Sequence, residues 1–408
     1  MRLRLRKYRQ FGYAGFIVAI FAVSVLPFAL ALFNAPPEVE RARSAQRAAL
    51  PLLGPFFARV EGWYGMYAAP VQELRQPASF PSAWTGSWME TDKNYALFEK
   101  WFADHLGLRS LMIRAKNEVD YALFRSSSRV YFGKHGELFG RSVTDIELPT
   151  TELVLDTPAK IDAVYRGVLR YAARLKARGV TMVLVAPVQK QYFRRDHLPF
   201  FAPRQPDDSH FMQLYRRLRD TPALHMVDVV GLLQRQQHVF PIFFQQDFHW
   251  TDPMAQVVAQ ETVKLIARLE GQSGHWQYPA QIEYRPLQGS EARFSARLNA
   301  HEEVREPFLQ KTWQDRHAST ELDAEKTGLE FDTDTLDDPS LLPATCMYGN
   351  SFGDGMLRAG LADHFQKFSK INRAMPLPSV PALVRGRCRY LIMQVLDIQG
   401  MHWRLLSL

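Results

Sequence analysis

The chain has 408 residues, of which 47% are hydrophobic and 23% charged, enough for one large core or two ordinary ones and too apolar for wholesale disorder. The formal net charge is +8, but Arg2, Arg4, Arg6, Lys7 and Arg9 supply five of it, and what remains (8 − 5) is +3, too mild and too scattered for a nucleic-acid partner. Two cysteines without a CxxC spacing exclude a zinc ribbon or a thioredoxin motif.

In chain order, the basic run 1–10 is followed by a stretch without charge at 11–33. About 20 apolar residues span a bilayer as a helix. The basic flank stays cytoplasmic, so 1–33 is expected to be an anchor with everything after it outside. A cleaved signal peptide is the rival reading, with Ala29-Leu30-Ala31 as its cleavage site, but signal cores are shorter. Residues 34–92, rich in proline, read as linker and lead-in. From 93 onward one large domain is expected. Leu97, Trp101, Leu108, Met112, Ala115, Val119 and Leu123 recur at helical spacing, with Gly107 as the breaker. RVYFGKHGELFG (129–140) reads as a hairpin.

Strand and helix then alternate. A helix over 157–178 ends at Gly179, and VTMVLVAP (180–187) has the apolar character of a strand buried on both faces. A helix over 210–220, a strand over 225–230 and a helix over 254–270 follow. The polar stretch at about 270–340 reads as an insertion or a set of surface loops. The rhythm resumes with a strand at 345–348, a helix beyond Ser351 and a last buried strand in RCRYLIMQVLDI. This alternation predicts an α/β fold, a doubly wound parallel sheet, with its chemistry beyond the carboxyl ends of the strands. Cys346 and Cys388 are either paired in an oxidising compartment or two buried thiols on neighbouring strands.

MYGNSFGDGM carries the first chemical signal. A strand, a glycine turn and a helix start expose the Ser351 hydroxyl beside free backbone N–H groups, which are able to stabilise an oxyanion. A serine needs a base, and His249 in QQDFHWTDPMAQ supplies an imidazole, able to accept a proton and return it. Asp247, two residues away on an extended segment, reaches the same face and orients it. Each motif alone is more often structural, a turn or N-cap serine and a loop hydrogen bond. A metal site is the other reading of Asp-x-His, but none of His210, His225 and His238 has suggestive spacing as a third ligand, and neither metal nor cofactor is expected.

These residues resemble the alginate O-acetyltransferase proteins of the AlgJ and AlgX kind, with an SGNH-hydrolase-like domain. The resemblance runs over roughly residues 90–400, through LFEKWFADHLGLRSLMIRAKNEVDYALF, VYFGKHGELFG, VLVAPVQKQYFRRDHLP, QQDFHWTDPMA and YGNSF. It includes a permuted order, with Asp-x-His before the serine. It implies Ser351 as acetyl carrier, His249 as base and acid, and Asp247 as its orienter. Asn350 stands where the family has aspartate, Phe248 where it has a small polar residue, and Leu396-Asp397-Ile398 where an arginine is usual. The resemblance further implies the membrane-tethered branch, a periplasmic O-acetyltransferase at the inner membrane. Its substrate would be an exopolysaccharide, with a multi-spanning membrane acyltransferase as acetyl donor. Asn350, Lys190 and Trp250 are candidate substrate-binding residues. Lys190 would meet an anionic sugar or is a surface lysine; Trp250 would stack on a sugar ring or support His249 from the core. A non-catalytic polysaccharide-binding or scaffold subunit and a carbohydrate acetylesterase are the alternatives.

Overall fold

A computed structural model describes residues 71, 78, 91–105, 109–141, 154–273, 276, 278–298 and 304–406. The expected anchor (1–33) lies outside them, as does all of the expected lead-in (34–92) except residues 71, 78, 91 and 92. No helix among the described residues is long and apolar enough to cross a membrane.

The chain divides into two compact units. In the first, helices α1 (Thr91–His105) and α2 (Arg109–Phe124) lie either side of Gly107. The Ala78 N–H donates to Asp104 Oδ2 at 2.8 Å. Asn117 on α2 donates to the carbonyls of Ser295 and Ala296, 3.1 Å each, and the Arg297 guanidinium sits 3.8 Å from the centroid of Tyr121. Residues 293–298, far away in sequence, thus belong with these helices.

The second unit (127–292 and 302–408) holds the α/β core. It opens with an antiparallel hairpin, β1 (Val130–Phe132) and β2 (Leu138–Gly140). Its turn places Gly136 at φ 75°, a left-handed conformation open to glycine at little cost. Helix α3 (Pro158–Lys176) is capped by the Thr157 hydroxyl, with Pro158 at its first position, where a missing N–H costs nothing. Strand β3 (Thr181–Val185) follows, then α4 (His210–Arg219), β4 (His225–Val227) and α5 (Val229–Gln236). Here the expected strand over 225–230 is shorter than its apolar pattern. The Asp228 carboxylate accepts the Gly231 N–H at 3.1 Å and caps a helix where the sequence suggests more strand.

Helix α6 (Asp252–Leu269) has Pro253 in its first turn and a face buried from Met254 to Ala267. Strands β5 (Ile282–Leu287) and β6 (Val304–Leu309) pair antiparallel as a separate ribbon. Then come β7 (Ser319–Glu321), β8 (Leu329–Thr333), β9 (Thr345–Tyr348), α7 (Ser351–Arg358), β10 (Phe368–Ile371), β11 (Tyr390–Gln394) and α8 (Gly400–Leu406). The main sheet has seven strands in the order β4-β3-β11-β9-β10-β8-β7. The first five are parallel, and β8 and β7 join antiparallel. The result is an α/β fold with a mostly parallel central sheet. The polar stretch 270–340, read as an insertion or a set of surface loops, holds four strands. β7 is exposed throughout and β8 only partly buried, so the edge strand and its neighbour look polar in sequence.

The five parallel strands supply the core, with Val183, Leu184, Cys346, Met347, Phe368, Leu391 and Ile392 fully buried between the helical layers. Cys346 on β9 and Cys388 just before β11 form a disulfide, with Cα atoms 5.7 Å apart. Of the two readings of the cysteines, the pair is the one observed. It ties together the neighbouring strands β9 and β11, immediately upstream of the Ser351 turn.

Candidate active site

Two segments converge at the carboxyl edge of the sheet. One is the turn after β9. Gly349 lies against Gln394 so closely that any Cβ there would overlap the amide. Asn350 caps α7, its Oδ1 accepting the Phe352 N–H at 3.0 Å, and Ser351 is the first helical residue. The first N–H groups of a helix have no intrahelical acceptor, so the Ser351 amide remains available beside its own hydroxyl.

The other segment runs from Phe244 to Thr251, ahead of α6. The ring of His249 bridges the two. Its Nδ1 lies 2.6 Å from Asp247 Oδ1 and its Nε2 2.6 Å from Ser351 Oγ. With Nδ1 protonated and donating to the carboxylate, Nε2 is left to accept the serine proton. The His249 side chain is 23% exposed and that of Asp247 12%, so the ring is reachable while the carboxylate is largely covered. Phe248 packs on the imidazole with centroids 3.9 Å apart, and Phe352 flanks it at 5.0 Å. An aromatic residue between Asp and His thus contributes a wall for the ring.

Burial pushes the Asp247 carboxyl upward, but hydrogen bonds from the His249 side chain, the His249 N–H and the Ser290 N–H outweigh it and hold the group well below the usual carboxylate range. The Ser290 N–H reaches Oδ2 at 2.9 Å, and Gly289 before it lies against the Gln246 carbonyl with no room for a Cβ. Neither residue is marked by the sequence reading, since a Gly-Ser pair in a polar stretch looks like an ordinary turn. Glu291 beside them is pushed up to about 7 by burial and by the nearby Asp247 charge.

The remaining candidates fall differently. Asn350 is embedded in an amide network. Its Oδ1 also accepts from Gln394 Nε2 at 2.9 Å, its N–H donates to Gln394 Oε1 at 2.8 Å, and its Nδ2 donates to Gln399 Oε1 at 3.1 Å. Trp250 is 2% exposed and donates through Nε1 to the Phe352 carbonyl at 3.2 Å. A buried, hydrogen-bonded indole has no face free for a sugar, and this geometry fits the supporting alternative. Lys190 is equally buried. Its ammonium donates to the carbonyls of Phe244 (2.9 Å), Gln245 (2.7 Å) and Asp247 (3.4 Å). Contact with an anionic sugar and a place on the surface are both at odds with that burial. A second buried lysine, Lys370 on β10, donates to the Gly349 carbonyl at 3.0 Å. Among the described residues, no group of three or more His, Cys, Asp or Glu is disposed to hold a metal ion.

Residues 132–369, more than half the chain, match the family model described as the SGNH hydrolase-like domain of the acetyltransferase AlgX. The chain belongs to that family. A probable alginate O-acetylase AlgJ of Azotobacter vinelandii is 26% identical over 172 residues, 41% of this chain and 42% of that one. The chain therefore spans less than half the length of this relative. Among solved structures, the O-acetyltransferase domain of Pseudomonas putida AlgJ is similar at a TM-score of 0.45 and 14% identity, covering 68% of this chain and 99% of that one. PatB1 of Bacillus cereus, solved with a sulfonyl adduct, is similar at 0.42 and 10% identity, over 58% and 89%.

Proposed function

We propose that this protein is an O-acetyltransferase that moves acetyl groups onto hydroxyls of an exported, alginate-like polysaccharide through an acetyl-Ser351 intermediate. The observation that carries the reading is the pair of 2.6 Å contacts by which His249 spans from Asp247 to Ser351. Family membership supplies the acyl group as acetyl.

In the first half-reaction His249 Nε2 takes the Ser351 proton as Oγ attacks the acetyl carbonyl. The carbonyl oxygen gains charge beside the Ser351 N–H at the start of α7, a backbone donor that stabilises it. The imidazolium, stabilised by Asp247, returns its proton to the departing group. In the second half-reaction a sugar hydroxyl gives its proton to Nε2, attacks the acetyl-serine and releases Oγ, which recovers the proton. No further reactant is needed.

The basic flank and the apolar stretch 11–33 support a single-pass inner-membrane anchor with the catalytic unit in the periplasm. The Cys346–Cys388 disulfide suits that oxidising compartment. Acetyl-CoA is not available there, so the donor would be an acetyl group handed across the membrane by a multi-spanning acyltransferase.

The test is incubation of the full-length protein with an acetyl ester and a mannuronate oligosaccharide. Acetylated sugar, lost in Ser351→Ala, supports transfer. Acetate alone would instead make the protein an acetylesterase, and no Ser351-dependent product would leave a scaffold role.

A further inference from the structure

We propose that Lys190 is a positioning residue for Asp247, a buried ammonium that holds the 244–247 loop in the one conformation that delivers the carboxylate to His249. The inference rests on the acyl-transfer reading above for its kinetic consequence, but not for its geometry.

The loop carrying Asp247 has every carbonyl from 244 to 247 engaged. Phe244 and Asp247 accept from Lys190 Nζ, Gln245 accepts from Nζ and from the Leu138 N–H at 3.0 Å, and Gln246 accepts from the Ala292 N–H at 3.4 Å. Three of the four carbonyls thus converge on one nitrogen. Backbone carbonyls pointing at one spot repel each other, and a cation at their focus removes that cost.

An ammonium has three donors in a compact tetrahedral arrangement, which matches three acceptors. A neutral amine would aim its lone pair at one of them. Burial pulls the Lys190 pKa down, and the carboxylates of Glu137, Glu291, Glu306 and Asp247 push it back. The nearest is Glu137 Oε2 at 3.9 Å, and the Phe139 ring closes the pocket with its centroid 4.9 Å from Nζ. Glu306 in turn accepts the Gln245 N–H at 2.6 Å. The ammonium therefore has charge compensation on one side and the loop on the other. Lysine is required by shape: a planar guanidinium is larger and cannot present three donors to a tetrahedral focus.

The test uses full-length Lys190→Met and Lys190→Arg, with Asp247→Asn as the reference for a lost orienter. Two readouts are taken, kcat and KM with an acetyl ester and the low-field proton NMR signal of a His249 N–H bound to a carboxylate. Thermal melting fixes a temperature at which each variant is folded. At that temperature both lysine variants are expected to lose about 100-fold in kcat, with KM within about threefold of wild type. The low-field signal should disappear in them as in Asp247→Asn. A folded Lys190→Met that keeps both kcat and the signal overturns the proposal. So does a loss of kcat that only tracks the unfolded fraction. If wild type shows no Ser351-dependent turnover, the acyl-transfer reading fails, while the NMR signal still decides whether Lys190 positions Asp247.

Discussion

The Trp250 indole donates to the Phe352 carbonyl at 3.2 Å, linking the residue after His249 to the residue after Ser351. The two segments are about a hundred residues apart in sequence, and this bond is a direct tie between them besides the His249–Ser351 contact itself. The Trp250 and Phe352 rings also meet edge to face, 5.0 Å between centroids. Packing and a buried hydrogen bond therefore fix the distance over which a proton would move.

Replacing Trp250 by Phe keeps most of the ring and removes the donor. The Phe352 carbonyl would lose its side-chain partner in a dry site, at a cost of about 1–2 kcal/mol. Urea denaturation should show that loss, and kcat with an acetyl ester should fall more than KM changes. A variant as stable and as active as wild type would mean that the indole only fills space.

Gly289 makes a sharper steric prediction. A methyl group there meets the Gln246 carbonyl, which belongs to rigid backbone rather than to a flexible side chain. Gly289→Ala should displace either the 244–247 loop or the Ser290 N–H that binds Asp247, destabilising the protein by about 1–3 kcal/mol and lowering kcat. Unchanged melting and turnover would show that the ribbon and the loop separate without cost.

The amides around Asn350 make its exchange for aspartate costly here. Gln399 Oε1 accepts from both Asn350 Nδ2 and the Leu396 N–H, the latter at 2.7 Å. A carboxylate at 350 would face that oxygen, and Gln399 cannot turn over without losing Leu396. A negative charge at the start of α7 gains ~0.3–1 kcal/mol from the helix dipole, less than the ~1–3 kcal/mol of an unsatisfied buried pair. Asn350→Asp is therefore expected to be less stable than wild type by chemical denaturation. An increase in stability would contradict this account of the network.

Glu291 gives a pH dependence of a stated sign. A free glutamate titrates near ~4.3, and in the fold burial and Asp247 push Glu291 up to about 7. Between these values the unfolded chain has released the proton and the folded chain retains it, so stability falls as pH rises through this window and levels off above it. Asp247 acts in the opposite sense: its depressed pKa contributes stability above about 3.9, lost as pH falls through the folded value. Denaturation midpoints of wild type and Glu291→Gln between about pH 5 and about pH 8 separate the two. The variant should lack the wild-type decline, and an identical slope would exclude Glu291 as its source.

Much of this arrangement is legible in the sequence because it is local. A strand, Gly349 and a helix start announce the Ser351 turn, and Asp247 and His249 share one extended segment. Continuous apolar runs mark β3, β9 and β11, since strands covered on both faces carry little else. What is hidden depends on partners distant in sequence. β7 and β8 are polar because one side or both face solvent, so no periodicity separates them from loops. Whether Lys190 and Trp250 point outward or inward is set by the 244–247 carbonyls and by Phe352, not by their neighbours in the chain. Ser290 matters only because Asp247 folds onto it, and the glutamines at 394 and 399 only because Asn350 meets them.

The central claim is that Ser351 carries the acetyl group. The most direct measurement is peptide mass spectrometry of the full-length protein quenched during turnover of an acetyl ester, beside His249→Ala and Ser351→Ala. The account predicts one acetyl on the peptide containing Ser351, assigned to that side chain by fragmentation and absent from both variants. Turnover with that peptide unmodified, or an acetyl group on another residue that persists in Ser351→Ala, would contradict it.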